Sequence, residues 1–228
     1  MSMNLNKSKL RLLESLRKKG TLYLRKHSRI SREVIERPGG WRSLDLIYGN
    51  DPDCLNGDRA FVPRNYFDRM FFYSAAAEAT RNRLNEFEQI LRRLINNYSD
   101  GMIEILSIAS GPGREIIKLL CETENDNIRA TCIDLDSGAI NLGKGLAEAR
   151  CVSDRIVFKR GNAKKVDEYE EKNKYHIIIT KEFLDYLTCD ASIEFLTKVK
   201  KITKPGGTIV VCNMDRHRWI KFWMEAEL

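Results

Sequence analysis

The chain has 228 residues, 39 Lys and Arg against 32 Asp and Glu, and an apolar content of 43%. That length carries one sizeable core with room for an appendage, and the composition is that of a folded globular chain. No apolar run approaches the roughly 18 residues of a membrane helix and no secretory leader opens the chain. Six cysteines without a C-x-x-C pair, beside three histidines, argue against a metal cluster, so the expectation is a metal-free cytoplasmic protein.

In chain order, the first predicted element is a basic helical arm, residues 1–37. It carries eleven Lys and Arg (7, 9, 11, 17, 18, 19, 25, 26, 29, 32, 37) against Glu14, Glu33 and Glu36, a balance of 11 − 3 = +8. The whole chain is +7, so the remaining residues sum to 7 − 8 = −1. Leu10, Leu13, Leu16 and Leu24 can supply the buried stripe of an amphipathic helix here. A contact with nucleic acid or an anionic membrane is the sharper alternative.

Residues 38–65 hold three of the five prolines and four glycines, and read as loop. From Arg64 the pattern turns helical, with Phe67, Phe71, Leu84, Phe87, Leu91 and Leu94 at helical spacing, and should stop at NYSDG (97–101). The cluster Trp41, Tyr48, Phe61, Tyr66, Phe67, Phe71, Phe72 and Tyr73 is too apolar for a free linker. Residues 38–100 are therefore expected to form a loop and helical lid.

From 102 onward strands (102–108, 128–133, 155–159, 175–180, 208–212) alternate with helices (114–121, 137–150, 163–170, 191–202). Unbroken apolar strands such as HIIIT and TIVVC indicate a parallel sheet covered on both faces, so residues 101–228 read as one α/β domain. Such sheets bind ligands beyond the carboxyl ends of their strands, near the point where strand order reverses. The stretch ILSIASGPGREI (105–116) puts a small-residue loop at that place, after the first strand. It lacks the Lys-Ser/Thr of a phosphate loop, and Ile116 stands where a dinucleotide fingerprint needs its third glycine. Two glycines suit a ligand with a nucleoside and a short anionic tail. Asp134, 134 − 113 = 21 residues past Gly113, is placed to take ribose hydroxyls. Asn162 in FKRGNA (158–163) can pair with an adenine edge. S-adenosylmethionine fits this inventory, with Ser110, Gly111, Gly113, Asp134, Leu135, Asn162, Ala163 and Thr180 as the cofactor-binding candidates.

Taken together, SIASGPGREI, CIDLD, GNA and KPGGTIVV (204–211) resemble the motifs of class I S-adenosylmethionine-dependent methyltransferases. The resemblance implies a doubly wound, mostly parallel, Rossmann-like sheet, here with a helical N-terminal extension. The segments RPGGWRSLDLIY (37–48), AAAEATRNRL (75–84), FLDYL (183–187) and FWMEAEL (222–228) further resemble the bacterial methyltransferases associated with 3-hydroxypalmitic acid methyl ester. The chain departs from them at 38–43, where the family carries a Tyr-Gly-Tyr-x-Gly-Asp type segment, and in ending at Leu228. A complete fold of this class adds a helix and a two-stranded hairpin after the fifth strand. Residues 213–228 supply one helix (216–227) but not the hairpin, so the expectation is a truncated chain, a natural shortening, or another segment at that edge, which if left open would suit an oligomer.

That second resemblance implies methyl ester formation on a small apolar carboxylic acid. A carboxylate is already ionised at neutral pH, so alignment and exclusion of water replace a general base. A cationic or phenolic donor must then hold the other oxygen. Arg81 and Arg83 are two apart on a helix, so at most one faces a site. Arg81, Asp185 and Tyr186 are the acceptor-positioning candidates, with Tyr73 beside them. Tyr186 also reads as a packing aromatic, Asp185 as a helix cap and His176 as a structural histidine. Two other classes stay open. One is an RNA methyltransferase using the basic arm, although the Asn-Pro-Pro-Tyr motif is absent and aromatics are sparse in the arm. The other is a cofactor-binding protein without catalysis.

Overall fold

The structure, a computed structural model, describes residues 19–37, 40–54, 59–98 and 101–213. The expectations for residues 1–18, for the helix at 216–227 and for 222–228 lie outside the described residues. Two compact units emerge, one within 19–52 and 59–82, the other within 83–213.

In the first unit, residues 19–27 are helical (α1) and Ser28 ends the run. Ser28 caps α2 (Arg29–Glu36) by accepting from the Ser31 amide, while its hydroxyl donates to Asp68 at 2.7 Å. The stretch read as loop holds a further helix, α3 (Trp41–Ile47). The reason is tertiary: Leu46 and Ile47 are buried in one core with Ile30, Phe61 and Ala77, and this burial outweighs the flanking turn residues. The helical pattern expected to run on from Arg64 is also divided. Asn65 caps α4 (Tyr66–Phe72), and Ser74 accepts from the Ala77 amide at 3.2 Å to start α5 (Ala75–Asn96). Asp68 is buried, but the Ser28 hydroxyl, the Ile30 amide and the Asn65 side chain all donate to it, so its charge is solvated internally.

The second unit is a five-stranded sheet with helices. Its elements are β1 (Ile103–Ile108), α6 (Arg114–Glu122), β2 (Ile128–Asp134), α7 (Ser137–Ala149), β3 (Ile156–Arg160), α8 (Val166–Tyr169), β4 (Tyr175–Lys181), α9 (Cys189–Ile202) and β5 (Thr203–Cys212). The order is β3-β2-β1-β4-β5 and every neighbouring pair is parallel. The fold is therefore the Rossmann-like arrangement expected from the alternating pattern. β1 lies at the centre, where almost every side chain is buried, which is why its sequence is apolar without alternation. The chain leaves β1 toward β2 on one side and returns to β4 on the other, so the order reverses between β1 and β4.

Two details differ from expectation. β5 starts at Thr203 and not 208, because the Lys-Pro-Gly-Gly run is absorbed as a register shift opposite Tyr175 and Ile177. Gly207 permits this: a Cβ there would lie 2.9 Å from the His176 carbonyl oxygen. The expected helix 163–170 is a single 3₁₀ turn (Ala163–Lys165) followed by the short α8. His176, near the start of β4, accepts from the Glu104 amide at 2.9 Å, and burial lowers its pKa. It ties β4 to β1, a structural role. No helix among the described residues is long and apolar enough to cross a membrane.

Candidate active site

The loop after β1 turns left-handed three times in five residues, at Ala109 (φ 53°), Gly111 (φ 55°) and Gly113 (φ 64°). Glycine adopts this freely, whereas Ala109 is strained there, as backbone at ligand sites often is. Ser110 is pinned by its amide to the Ile133 carbonyl at 3.0 Å and accepts from the Gly113 amide at 3.1 Å. Gly113 then opens α6 with no side-chain cap. The glycine requirement has a protein cause at Gly113. A Cβ there would lie 2.9 Å from Cys132 Sγ and 3.3 Å from Phe158 Cε1. Gly143 on α7 serves the same packing: its Cβ would fall 2.4 Å from Phe158 Cε1 and 2.7 Å from the Pro112 oxygen. A missing third loop glycine is thus matched by a glycine on the neighbouring helix.

Asp134 ends β2 beside this loop. One carboxylate oxygen accepts from the Gly111 amide at 2.7 Å and the other from the Asp136 amide at 2.9 Å. Burial raises its pKa, and these two bonds oppose the rise. A carboxylate has about four lone-pair sites, so two hydroxyls can still be received. Leu135 is 63% exposed although apolar, and beside Asp134 it offers a flat surface to a base. The Asp134 carbonyl accepts from the Gly161 amide at 3.0 Å, which draws the loop after β3 alongside. In that loop Asn162 uses its side-chain oxygen to cap Lys164 at 3.0 Å, while Ala163 is buried. The glycine loop, Asp134, Leu135, Asn162 and Ala163 are therefore gathered at one end of the sheet. Among the described residues, no group of three or more His, Cys, Asp or Glu is placed to hold a metal.

At the end of β4, Thr180 pairs with Ile108 of β1 and Val211 of β5. Its side chain is fully buried, yet its hydroxyl has no hydrogen-bond partner among the described residues. Lys181 reaches back to Glu115 in the first turn of α6, at 2.8 Å. Glu182 follows in a left-handed conformation (φ 60°), donates its amide to the Cys212 carbonyl at 2.7 Å, and pairs its carboxylate with Arg83. Asp185 and Tyr186 lie on the next turn (Leu184–Tyr186), both exposed. The Tyr186 phenol is pushed up by desolvation and then by the carboxylates of Glu182 and Asp185. Arg81 lies in the first unit, where its guanidinium donates to the carbonyls of Phe72 (2.9 Å) and Ile47 (3.2 Å) and stacks on the Phe72 ring. Sequence reading missed Ala109, Glu115, Gly143, Lys181 and Glu182. Of these, the two glutamates and Lys181 carry no motif, because their significance arises only where α6 meets β4.

A family profile described as "Methyltransferase domain" matches residues 99–228. No curated protein sequence matches the chain as a relative. Among solved structures, a possible exported protein from Bordetella parapertussis is similar at a TM-score of 0.68 with 18% identity, over 84% of this chain and 60% of that one. The chain thus spans about three fifths of that neighbour. Two SAM-dependent methyltransferases in complex with S-adenosyl-L-homocysteine are also similar. The one from Thiobacillus denitrificans has 18% identity and a TM-score of 0.45, over 64% of this chain and 55% of that one. The one from Geobacter sulfurreducens has 19% identity and 0.42, over 57% and 47%. At 18% identity the likeness to the Bordetella parapertussis protein speaks for the fold alone. With the profile covering more than half of its residues, the chain belongs to the methyltransferase-domain family.

Proposed function

We propose that this methyltransferase takes its methyl group from S-adenosylmethionine and delivers it to a small carboxylic acid with an apolar tail, as the resemblance to the 3-hydroxypalmitic acid methyl ester enzymes suggests. The cofactor reading is supported by the strand-end set of Gly111, Gly113, Asp134 and Leu135, and by the buried Thr180 hydroxyl that lacks a partner. The bound cofactor supplies an electrophilic methyl on a sulfonium.

One observation carries the acceptor class. Beside the end of β4, neither Tyr186 nor His176 is placed to serve as a base. The Tyr186 phenol is pushed up, away from deprotonation, and His176 stands near the opposite end of β4 with Nδ1 already accepting a bond. An alcohol or ammonium acceptor must lose a proton during transfer, whereas a carboxylate need not. The residues then act by alignment and by excluding water, where opposite charges neutralise as the ester forms.

The test is transfer of a tritiated methyl group to lysate separated into lipid, protein and RNA. Label in the lipid fraction, released by mild base as an ester should be, is the expected result. Label confined to RNA overturns the acceptor class, and no label in any fraction overturns the assignment of catalysis.

A further inference from the structure

The Arg83–Glu182 pair has no place in cofactor binding as described above, and its geometry is unusual. Glu182 is a non-glycine residue held left-handed one position after β4, at the end of the sheet where ligands bind. Its amide is tied to Cys212 at the end of β5, so the strand exit cannot swing away. Its carboxylate takes one nitrogen of Arg83, with both side chains largely buried at 17% and 13% exposure. A guanidinium carries five N–H donors in a rigid fork. Among the described residues Glu182 is the only partner of Arg83, through a single Nη. The remaining donors are left for something else. The neighbouring cation, Lys181, is already committed to Glu115 and only 15% exposed. Charges placed close enough to act on Tyr186 include Arg83, Glu182 and Asp185, so the fork stands in the region of the turn that follows β4. Two residues back, the buried Thr180 hydroxyl lacks a partner, an independent sign that a polar ligand group belongs at this strand end.

Resting on the carboxylic-acid reading given above, we propose that Arg83 is the acceptor-binding residue: Glu182 holds the guanidinium by one edge, and the other edge receives the acceptor's carboxylate. The left-handed conformation of Glu182 at the strand exit sets the direction in which the fork opens. The arrangement also assigns the carboxylate-anchoring role to Arg83 instead of Arg81, whose Nη1 donates to two main-chain carbonyls of the first unit and whose guanidinium stacks on Phe72. A fork held this way reads a planar anion with two oxygens and discriminates against a neutral alcohol of the same length.

The test uses the full chain saturated with S-adenosyl-L-homocysteine and titrated calorimetrically with decanoate and with decanol. The wild type should prefer decanoate. Arg83→Ala should bind decanoate at least tenfold more weakly, leave decanol and S-adenosyl-L-homocysteine within twofold, and so lose the preference. Arg83→Lys retains an ion pair with Glu182, which guards against a folding defect, and should lose several-fold for want of the fork. Decanoate binding equal in wild type and Arg83→Ala overturns Arg83 and leaves the acceptor class standing. A wild type that binds the cofactor product but neither binds decanoate nor methylates any acid from six to sixteen carbons overturns the acceptor class, and Arg83 with it.

Discussion

Replacing Gly143 with alanine should destabilise the protein, against the usual direction for this exchange. In an exposed helix interior, glycine to alanine gains about 1 kcal/mol. At position 143 the added methyl would sit 2.4 Å from Phe158 Cε1 and 2.7 Å from the Pro112 oxygen. Comfortable carbon–carbon contact is about 3.5–4.0 Å, so the buried ring must retreat by roughly 1 Å. The Pro112 oxygen is main chain in the glycine loop and cannot yield by a rotamer change. Overpacking of this kind costs about 1–3 kcal/mol, which leaves a net loss of about 0–2 kcal/mol after the propensity gain. For a chain of this size each kcal/mol lowers Tm by about 2–4 °C, so a fall of a few degrees is expected. The same push displaces the loop that carries Gly111 and Gly113, so affinity for S-adenosyl-L-homocysteine should fall several-fold. Thermal melting and calorimetry on the two proteins read both effects. A raised Tm with unchanged affinity would refute the reasoning, because it would mean that α7 and the loop have space between them.

Two further outcomes follow from single side chains. Burial raises the Asp134 carboxyl above its ordinary value of 3.8, and ribose hydroxyls donate more strongly to the ionised form. Product affinity should therefore weaken as pH falls through that raised pKa, with one proton taken up per ligand released there. The unliganded chain has the opposite sign, since stability from a raised carboxyl is present at low pH and lost as pH rises through the folded pKa. Calorimetry from pH 4 to 7 reads the slope, and an equal slope in Asp134→Asn would remove Asp134 from the site. Thr180→Val keeps shape and branching while deleting a buried hydroxyl that lacks a partner, which otherwise costs about 1–3 kcal/mol. The unliganded variant should melt higher and bind S-adenosyl-L-homocysteine at least fivefold more weakly; a lower Tm contradicts a ligand-directed hydroxyl.

The sheet was legible because its strands are buried on both faces. HIIIT in β4 and IEILSI in β1 have no other use in a chain of this composition, and the helices between them are amphipathic. The tight loop after β1 was legible because three left-handed residues leave small side chains in the sequence. α3 was not, because its seven residues, Trp41–Ile47, look like turn until Leu46 and Ile47 are seen against Ile30 and Phe61. The pairs Glu115–Lys181 and Arg83–Glu182 were equally hidden. A single charged residue has no period, and its meaning is the residue it meets 66 or 99 positions away (181 − 115 and 182 − 83). Sequence pattern reports local repetition, and sites are made of non-local encounters.

The central place of β1 also sets an order of assembly. Its first neighbour, β2, pairs Ile103 with Ile128, whereas its second, β4, pairs Ile105 with Ile177, 72 residues along the chain. At ribosomal speeds of about 5–20 residues per second, β4 emerges roughly 2–10 s after β2. For that interval one edge of an unbroken apolar strand is without its partner, and open edges recruit other chains. A fold that places its glycine loop beside its first and most apolar strand must therefore complete that strand end late. Newly made chains should be most prone to aggregate in this window, and chaperone demand should fall once residue 181 has cleared the ribosome.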